Sequence, residues 1–204
     1  MIGVEVTGGM WTLTLNRPEK ANSLTRLMLQ ELDAAVAQAA TKGARAVILT
    51  GAGRVFSAGA DLEDARAGLA VDPVWERLSG RIAALPCLTI AALNGTLAGG
   101  AMGMALACDL RIAVPEAQFF YPVMKLGFLP QPSDPGRLAA LIGPARAKMI
   151  LMAGARIGTA DALSWGLIDR IVEGEALMDT AHVLAGDVLA ATASHVAQIK
   201  RMVV

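Results

Sequence analysis

Apolar and polar positions alternate with different periods along the chain, and the periods change at glycine and proline. Trp11, Leu13 and Leu15 alternate with Thr12 and Thr14, the period of a half-buried strand. With the run Ile2–Val6 and the glycines Gly8 and Gly9 between them, this predicts a hairpin. Met28, Leu32, Ala35, Val36 and Ala39 fall on one helical face, starting after Thr25 as N-cap and ending at Lys42-Gly43. Ala46–Thr50 is a continuous apolar run, as expected of a strand buried on both faces. A small-residue loop over Gly51–Leu62 follows, then helices over Glu63–Leu69 and Pro73–Ala84, with Trp75, Leu78 and Ile82 on one side of the second.

The run Ile82–Cys108 holds no charged residue. Its part from Leu88 onward reads either as a membrane span or as strand, turn and helix. Asn94-Gly95 in its middle, the further glycines Gly99, Gly100 and Gly103, and the lack of flanking aromatic residues favour the second reading. Strands are expected over Asp109–Val114 and Gln118–Phe120, and an irregular Pro/Gly-rich loop over Lys125–Leu138. Helices are expected over Gly143–Ala153, Ala160–Trp165, Ala176–Ala191 and Ser194–Met202, with an extended piece at Leu167–Val172. Strand, loop and helix therefore recur, which defines an α/β chain with a core over 1–150 and a helical portion over 151–204.

Composition narrows the function classes. Of 204 residues 54% are hydrophobic and 18% charged, and the formal net charge is +0. With a mean hydropathy of +0.50, part of the surface is expected to be covered by subunit contacts. No basic block points to nucleic acid or to an anionic membrane surface. Cys87 and Cys108 sit in the apolar stretch and read as buried thiols of a reducing compartment. The start MIGVEVTGG has no basic segment before an apolar core, so a cytoplasmic location is expected. No metal-ligand cluster is visible, and His182 reads as structural.

The glycine loop after the second buried strand fits none of three familiar patterns. Gly51 and Gly53 suit a dinucleotide fingerprint, but Phe56 stands at its third glycine position. A phosphate loop would need a Gly-Lys pair, and a nucleophile elbow around Ser57 would need glycine where Val55 stands. What remains is a pair of small-residue runs, Ser57-Ala58-Gly59-Ala60-Asp61 and Gly99-Gly100-Ala101. Such runs serve equally to let strand and helix pack tightly or to bring backbone N–H groups against a ligand's carbonyl oxygen.

Several segments resemble the crotonase (enoyl-CoA hydratase/isomerase) superfamily in order and spacing. They are Leu15–Leu24 (LNRPEKANSL), Val47–Gly51 with Phe56–Leu62 (FSAGADL), and Ala92–Gly95 with Ala98-Gly99-Gly100. Ala107–Arg111 (ACDLR), Lys125-Leu126-Gly127 and the stretch from Ala160 to Ile168 complete the set. The resemblance implies a spiral of repeated ββα units followed by C-terminal helices, with more of the latter than 151–204 holds, assembled as homotrimers or hexamers. It implies binding of an acyl-CoA thioester, with coenzyme A entering as part of the substrate and no separate cofactor. The thioester carbonyl would be polarised by the N–H groups of Ala58 and Gly100. Ser57, Gly59, Ala60, Asp61, Leu62 and Gly99 would line the coenzyme A and acyl path, with Lys20, Ala21 and Asn22 near the nucleotide. Tyr121 and Gln131 would line the acyl pocket.

The acids of the family are missing at their expected places. Gly103 and Val123 stand where hydratases of the family carry two glutamates, and Gln131 stands where isomerases often place an acid. Glutamine has no useful acid–base chemistry. Asp134 is the nearest alternative. Asp134-Pro135-Gly136 reads as an ordinary solvated turn, and acid–base work at Asp134 requires the loop to fold inward. The expectation is an enolate-stabilising enzyme of the hydratase/isomerase type, or an acyl-CoA-binding protein without turnover.

Overall fold

The computed structural model describes residues 1–203. Two parallel-rich sheets organise it. The larger contains β1 (Ile2–Thr7), β2 (Met10–Leu15), β3 (Ala46–Gly51), β5 (Leu88–Leu93), β7 (Leu110–Ala113) and β10 (Arg170–Ile171), in that spatial order. The smaller contains β4 (Val55–Ser57), β6 (Thr96–Ala98), β8 (Gln118–Phe120) and β9 (Ile157–Gly158). β1 runs antiparallel to β2 and β9 antiparallel to β8, whereas the other pairs are parallel.

The order of strands encodes a repeat. β3 leads to β4, β5 to β6 and β7 to β8, and each time the first strand joins the larger sheet and the second the smaller. Helical segments follow each pair: α2 (Leu62–Arg66) with α3 (Val74–Ala83), then α4 (Met102–Leu106), then α5 (Val123–Leu126). This is the ββα spiral that the resemblance implied. The apolar stretch from Leu88 is accordingly β5, a turn at Asn94-Gly95, β6, a 3₁₀ turn over Gly99–Ala101 and α4. No helix among the described residues is long and apolar enough to cross a membrane.

The periodic elements match their expectations closely. Helix α1 (Arg26–Thr41) is capped by the Thr25 hydroxyl, which accepts from Met28 N, and it buries Met28, Leu32, Ala35, Val36 and Ala39. All of Ala46–Thr50 in β3 is buried. Burial raises the thiol of Cys87 to about 11 and that of Cys108 to about 12, so both stay protonated at neutral pH.

The segment 125–138 differs from its expectation. One turn of helix, α5, stops at Gly127 in the left-handed region (φ 72°), and α6 (Asp134–Ile142) begins inside the supposed loop. Pro135 occupies the first turn of α6, where its missing N–H costs nothing. α7 (Pro144–Leu151), α8 (Thr159–Trp165), α9 (Leu177–Ala190) and α10 (Ala193–Met202) complete the chain, with β9 and β10 joined to both sheets between them. Lys200 of α10 donates to Cys87 O and Asp109 Oδ2, both at 2.8 Å, tying the last helix to the larger sheet.

Candidate active site

The two small-residue runs meet face to face. Gly59 has φ 94° and Gly99 φ 58°, conformations that suit glycine. A Cβ on Gly59 would lie 3.0 Å from Ala98 O, and one on Gly99 would lie 3.5 Å from Gly59 Cα. At Gly59 the loop after β6 therefore comes closer than a side chain would comfortably permit, while at Gly99 a Cβ would meet ordinary contact.

Which amides this contact presents is set by a single bridge. Leu24 pairs with Ala60 as an isolated parallel bridge, in which Leu24 N donates to Gly59 O at 2.8 Å and Asp61 N donates to Leu24 O at 2.9 Å. In a parallel pairing both bonds go to the neighbours of the bridged residue. The N–H of Ala60 thus points away from Leu24, and Ala60 lines the cavity. Gly100 also lines the cavity, in the first turn of the 3₁₀ segment, where an N–H has no acceptor within its own helix. Ala58 does not match its expected role. Its N–H donates to Ala21 O at 3.0 Å and is already engaged.

The cavity measures about 390 Å³ and is mainly apolar. Ala58, Ala60, Leu62, Gly99, Gly100, Tyr121 and Gln131 line it as expected. Trp75, Phe128, Leu129 and Ala70 also line it, and sequence reasoning did not assign them there. The Trp75 indole N–H donates to Leu69 O at 2.8 Å, and its ring lies 3.2–3.3 Å from where a Gly100 Cβ would be. The indole is thereby fixed against the start of the helical turn.

Several expected contact residues instead hold the loops together. Asn22 is fully buried (0% exposed) with φ 49°. Its side chain accepts from Arg17 N at 2.8 Å and donates to Ala52 O at 2.9 Å and Val55 O at 2.7 Å. Ser57 Oγ donates to Asn22 O at 2.8 Å and accepts from Gly59 N at 3.1 Å. Both side chains are committed to protein partners. Asp61 caps α2 through Glu63 N and accepts from Arg17 Nη1 at 2.7 Å. The Arg17 guanidinium holds its carboxyl below the usual carboxylate range. Lys20 is exposed, and Lys20, Ala21, Asn22, Ser57, Gly59 and Asp61 do not line the cavity.

Asp134 is the largest departure from expectation. It is 0% exposed, not a solvated turn residue. Tyr121 Oη donates to its Oδ2 at 2.9 Å. Its Oδ1 is a buried side-chain oxygen with no hydrogen-bond partner. A Cβ on Gly103 would lie 2.7 Å from that oxygen, so the carboxylate fills the space where a side chain at 103 would begin. Burial pushes the Asp134 carboxyl up to about 6, against the lowering effects of the Tyr121 hydrogen bond and the Arg137 charge. Burial, with the Asp134 charge beside it, pushes the Tyr121 hydroxyl well above its ordinary value. Ser133 fixes the start of α6. Its N donates to Glu76 Oε2 at 3.1 Å and its hydroxyl donates to Glu76 Oε1.

A ββα spiral of this kind, with a closed approach of two glycine-bearing loops at an apolar cavity, places the chain in a known class, and direct comparison agrees. The family model described as "Enoyl-CoA hydratase/isomerase" matches residues 5–204, and the chain belongs to that family, within the crotonase superfamily. It is 37% identical over 190 residues to the 1,2-epoxyphenylacetyl-CoA isomerase of Escherichia coli K12, covering 88% of this chain and 72% of the relative. It is 33% identical over 193 residues to the short-chain-enoyl-CoA hydratase of Clostridium acetobutylicum, covering 91% of this chain and 74% of the relative. The crystal structure of an enoyl-CoA hydratase from Bacillus anthracis superposes with a TM-score of 0.91 at 34% identity, covering 99% of this chain and 81% of that one.

Proposed function

We propose that this protein binds an acyl-CoA thioester and stabilises its enolate, using the N–H groups of Ala60 and Gly100 as the pair that holds the thioester oxygen. The observation that carries the reading is the Gly59–Gly99 contact, which brings two loops together so that Ala60 and Gly100 border one cavity. Donors fixed by the fold need no reorganisation as charge develops on the oxygen, which is the main source of catalysis by such sites. The apolar cavity with Trp75, Tyr121 and Phe128 on its walls suits an apolar or aromatic acyl group.

Proton movement, not hydration, is the chemistry this arrangement favours. Hydration needs groups to activate water and to deliver a proton, and Gly103 and Val123 supply neither. One buried carboxyl, Asp134, remains beside the site, and burial makes it a stronger base than an ordinary carboxylate. Its complete enclosure also supports a second reading, acyl-CoA binding without turnover. Exposed Met124, Leu126, Phe128 and Leu129 near the cavity support assembly through subunit contacts, with a homotrimer or hexamer as the expected form.

The test is titration with acetyl-, butyryl- and phenylacetyl-CoA carrying ¹³C at the thioester carbonyl. Binding with a downfield shift of that carbon is expected. Failure of every ester to bind overturns the proposal. Binding without a shift removes the oxygen-holding role of Ala60 and Gly100. Efficient hydration of a short enoyl-CoA overturns the preference for proton movement.

A further inference from the structure

This inference rests on the reading that a thioester is held at Ala60 and Gly100, and it concerns how a proton reaches that site. Asp134 is wholly enclosed and does not line the cavity, whereas Tyr121 does. The Tyr121 hydroxyl is bonded to Asp134 Oδ2. The other charged groups near Asp134 are occupied elsewhere. Arg137 Nη1 donates to Ser79 Oγ at 2.9 Å, and Glu76 accepts from Ser133. Ser133 N and its hydroxyl, both held by Glu76, fix the residue immediately before Asp134, so the carboxylate has little freedom to swing toward the cavity.

We propose that Tyr121 is the catalytic residue that meets the acyl group, and that Asp134 acts behind it by taking up and returning a proton through the phenol hydroxyl. In the forward step the C–H bond beside the thioester carbonyl breaks and its proton forms a new bond to Tyr121 Oη. The hydroxyl's original proton moves to Asp134 Oδ2. The electron pair of the broken bond enters the enolate, whose oxygen is held by the Ala60 and Gly100 amides. Reversal returns a proton to the same carbon, giving exchange, or to the far end of a conjugated enolate, giving isomerisation. Charge and atoms balance without a co-reactant, because the negative charge of Asp134 is transferred to the enolate as the carboxyl becomes neutral.

Exchange of α-hydrogens in D₂O, followed by ¹H NMR on whichever of the three acyl-CoA esters binds most tightly, tests the relay. Wild type is expected to exchange, with a rate that climbs as pH rises through about 6, the value to which burial brings Asp134. Tyr121→Phe is expected to bind the ester within about threefold of wild type and to lose exchange by roughly 100-fold or more, the usual scale for a removed acid–base group. Asp134→Asn is expected to lose exchange similarly and to lose the rise near that pH. Far-UV circular dichroism and thermal unfolding establish that both variants fold. Exchange by Tyr121→Phe within a few-fold of wild type overturns the relay and leaves the thioester reading standing. Absence of exchange in wild type that binds the ester overturns the relay together with the enolate reading.

Discussion

Gly103 and Asp134 compete for one volume. A Cβ on Gly103 would stand 2.7 Å from Asp134 Oδ1, 3.1 Å from Oδ2 and 3.3 Å from Cγ. Asp134 cannot easily retreat, because Ser133 before it is bonded twice to Glu76 and Tyr121 is bonded to its Oδ2. Position 103 is thus glycine for a steric reason that originates across the domain interior, on another helix.

Replacing Gly103 with Ala should therefore lower stability by about 1–3 kcal/mol, the cost of forcing an atom into a filled core. In an Asp134→Ala background the same change should stabilise, by up to about 1 kcal/mol, because alanine is the better helix former and the obstacle is gone. Urea denaturation of the four proteins of this cycle measures the coupling directly. Equal effects of Gly103→Ala in both backgrounds would show that the two residues do not exclude one another.

Asp134 also makes stability depend on pH in a stated direction. Its carboxyl is raised from 3.8 to about 6. Below about pH 4 it is protonated folded or unfolded and imposes no penalty. As pH rises through about 6 the folded protein must ionise it without water, which costs at most roughly 3 kcal/mol. Asp134→Asn should consequently raise the melting temperature at pH 7–8, with the gain fading toward pH 4. A gain that is independent of pH would mean the carboxyl is not raised.

Gly59 and Gly99 should differ in their tolerance of a side chain. Gly59→Ala combines φ 94° with a Cβ 3.0 Å from Ala98 O, whereas Gly99→Ala has φ 58° and a nearest neighbour at 3.5 Å. The first change is expected to cost about 1–3 kcal/mol from backbone strain and to weaken acyl-CoA binding tenfold or more by parting the loops. The second should cost less on both counts. Thermal unfolding and the acyl-CoA titration rank the two, and a larger effect at Gly99 contradicts the geometry.

Asn22→Ala should act on stability first. It would strip the side-chain partner from Arg17 N and Ala52 O and leave Val55 O only the longer bond from Asn94 Nδ2 at 3.4 Å. Buried polar groups left unpaired cost about 1–3 kcal/mol each, and with two part-buried groups losing their partner a total loss of about 2 kcal/mol is expected, lessened where water enters. An unfolding midpoint close to wild type, with selectively weakened binding, would instead restore Asn22 to the ligand.

How legible each feature was in the sequence follows its range of interaction. α1 and β3 carry their burial in their own periodicity, so Met28, Leu32 and Val36, or Ala46 through Thr50, could be placed by reading along the chain. β4, β6 and β9 have two or three residues each, too few to show a period, and they exist because neighbouring strands hold them. Asp134-Pro135-Gly136 has the same local signature for a turn as for the first turn of a helix. Only the contacts with Glu76 and Tyr121, far off in sequence, make it the second. The small-residue run after β4 was visible as one that serves either tight packing or an approach of backbone to a ligand. Successive amides of an extended chain point to opposite sides, however, and whether Ala58 or Ala60 faces inward depends on Leu24, which lies outside the run.

The two loops that meet at Gly59 and Gly99 follow β4 and β6, strands of two successive turns of the spiral. Neither turn alone contains the corner proposed to hold the thioester oxygen. It comes into being when one turn stacks on the next, and it disappears when they part. A protein with the first turn folded and the second still loose would retain secondary structure and have no site, so ligand affinity should report the stacking of these two turns and not the order of either loop alone.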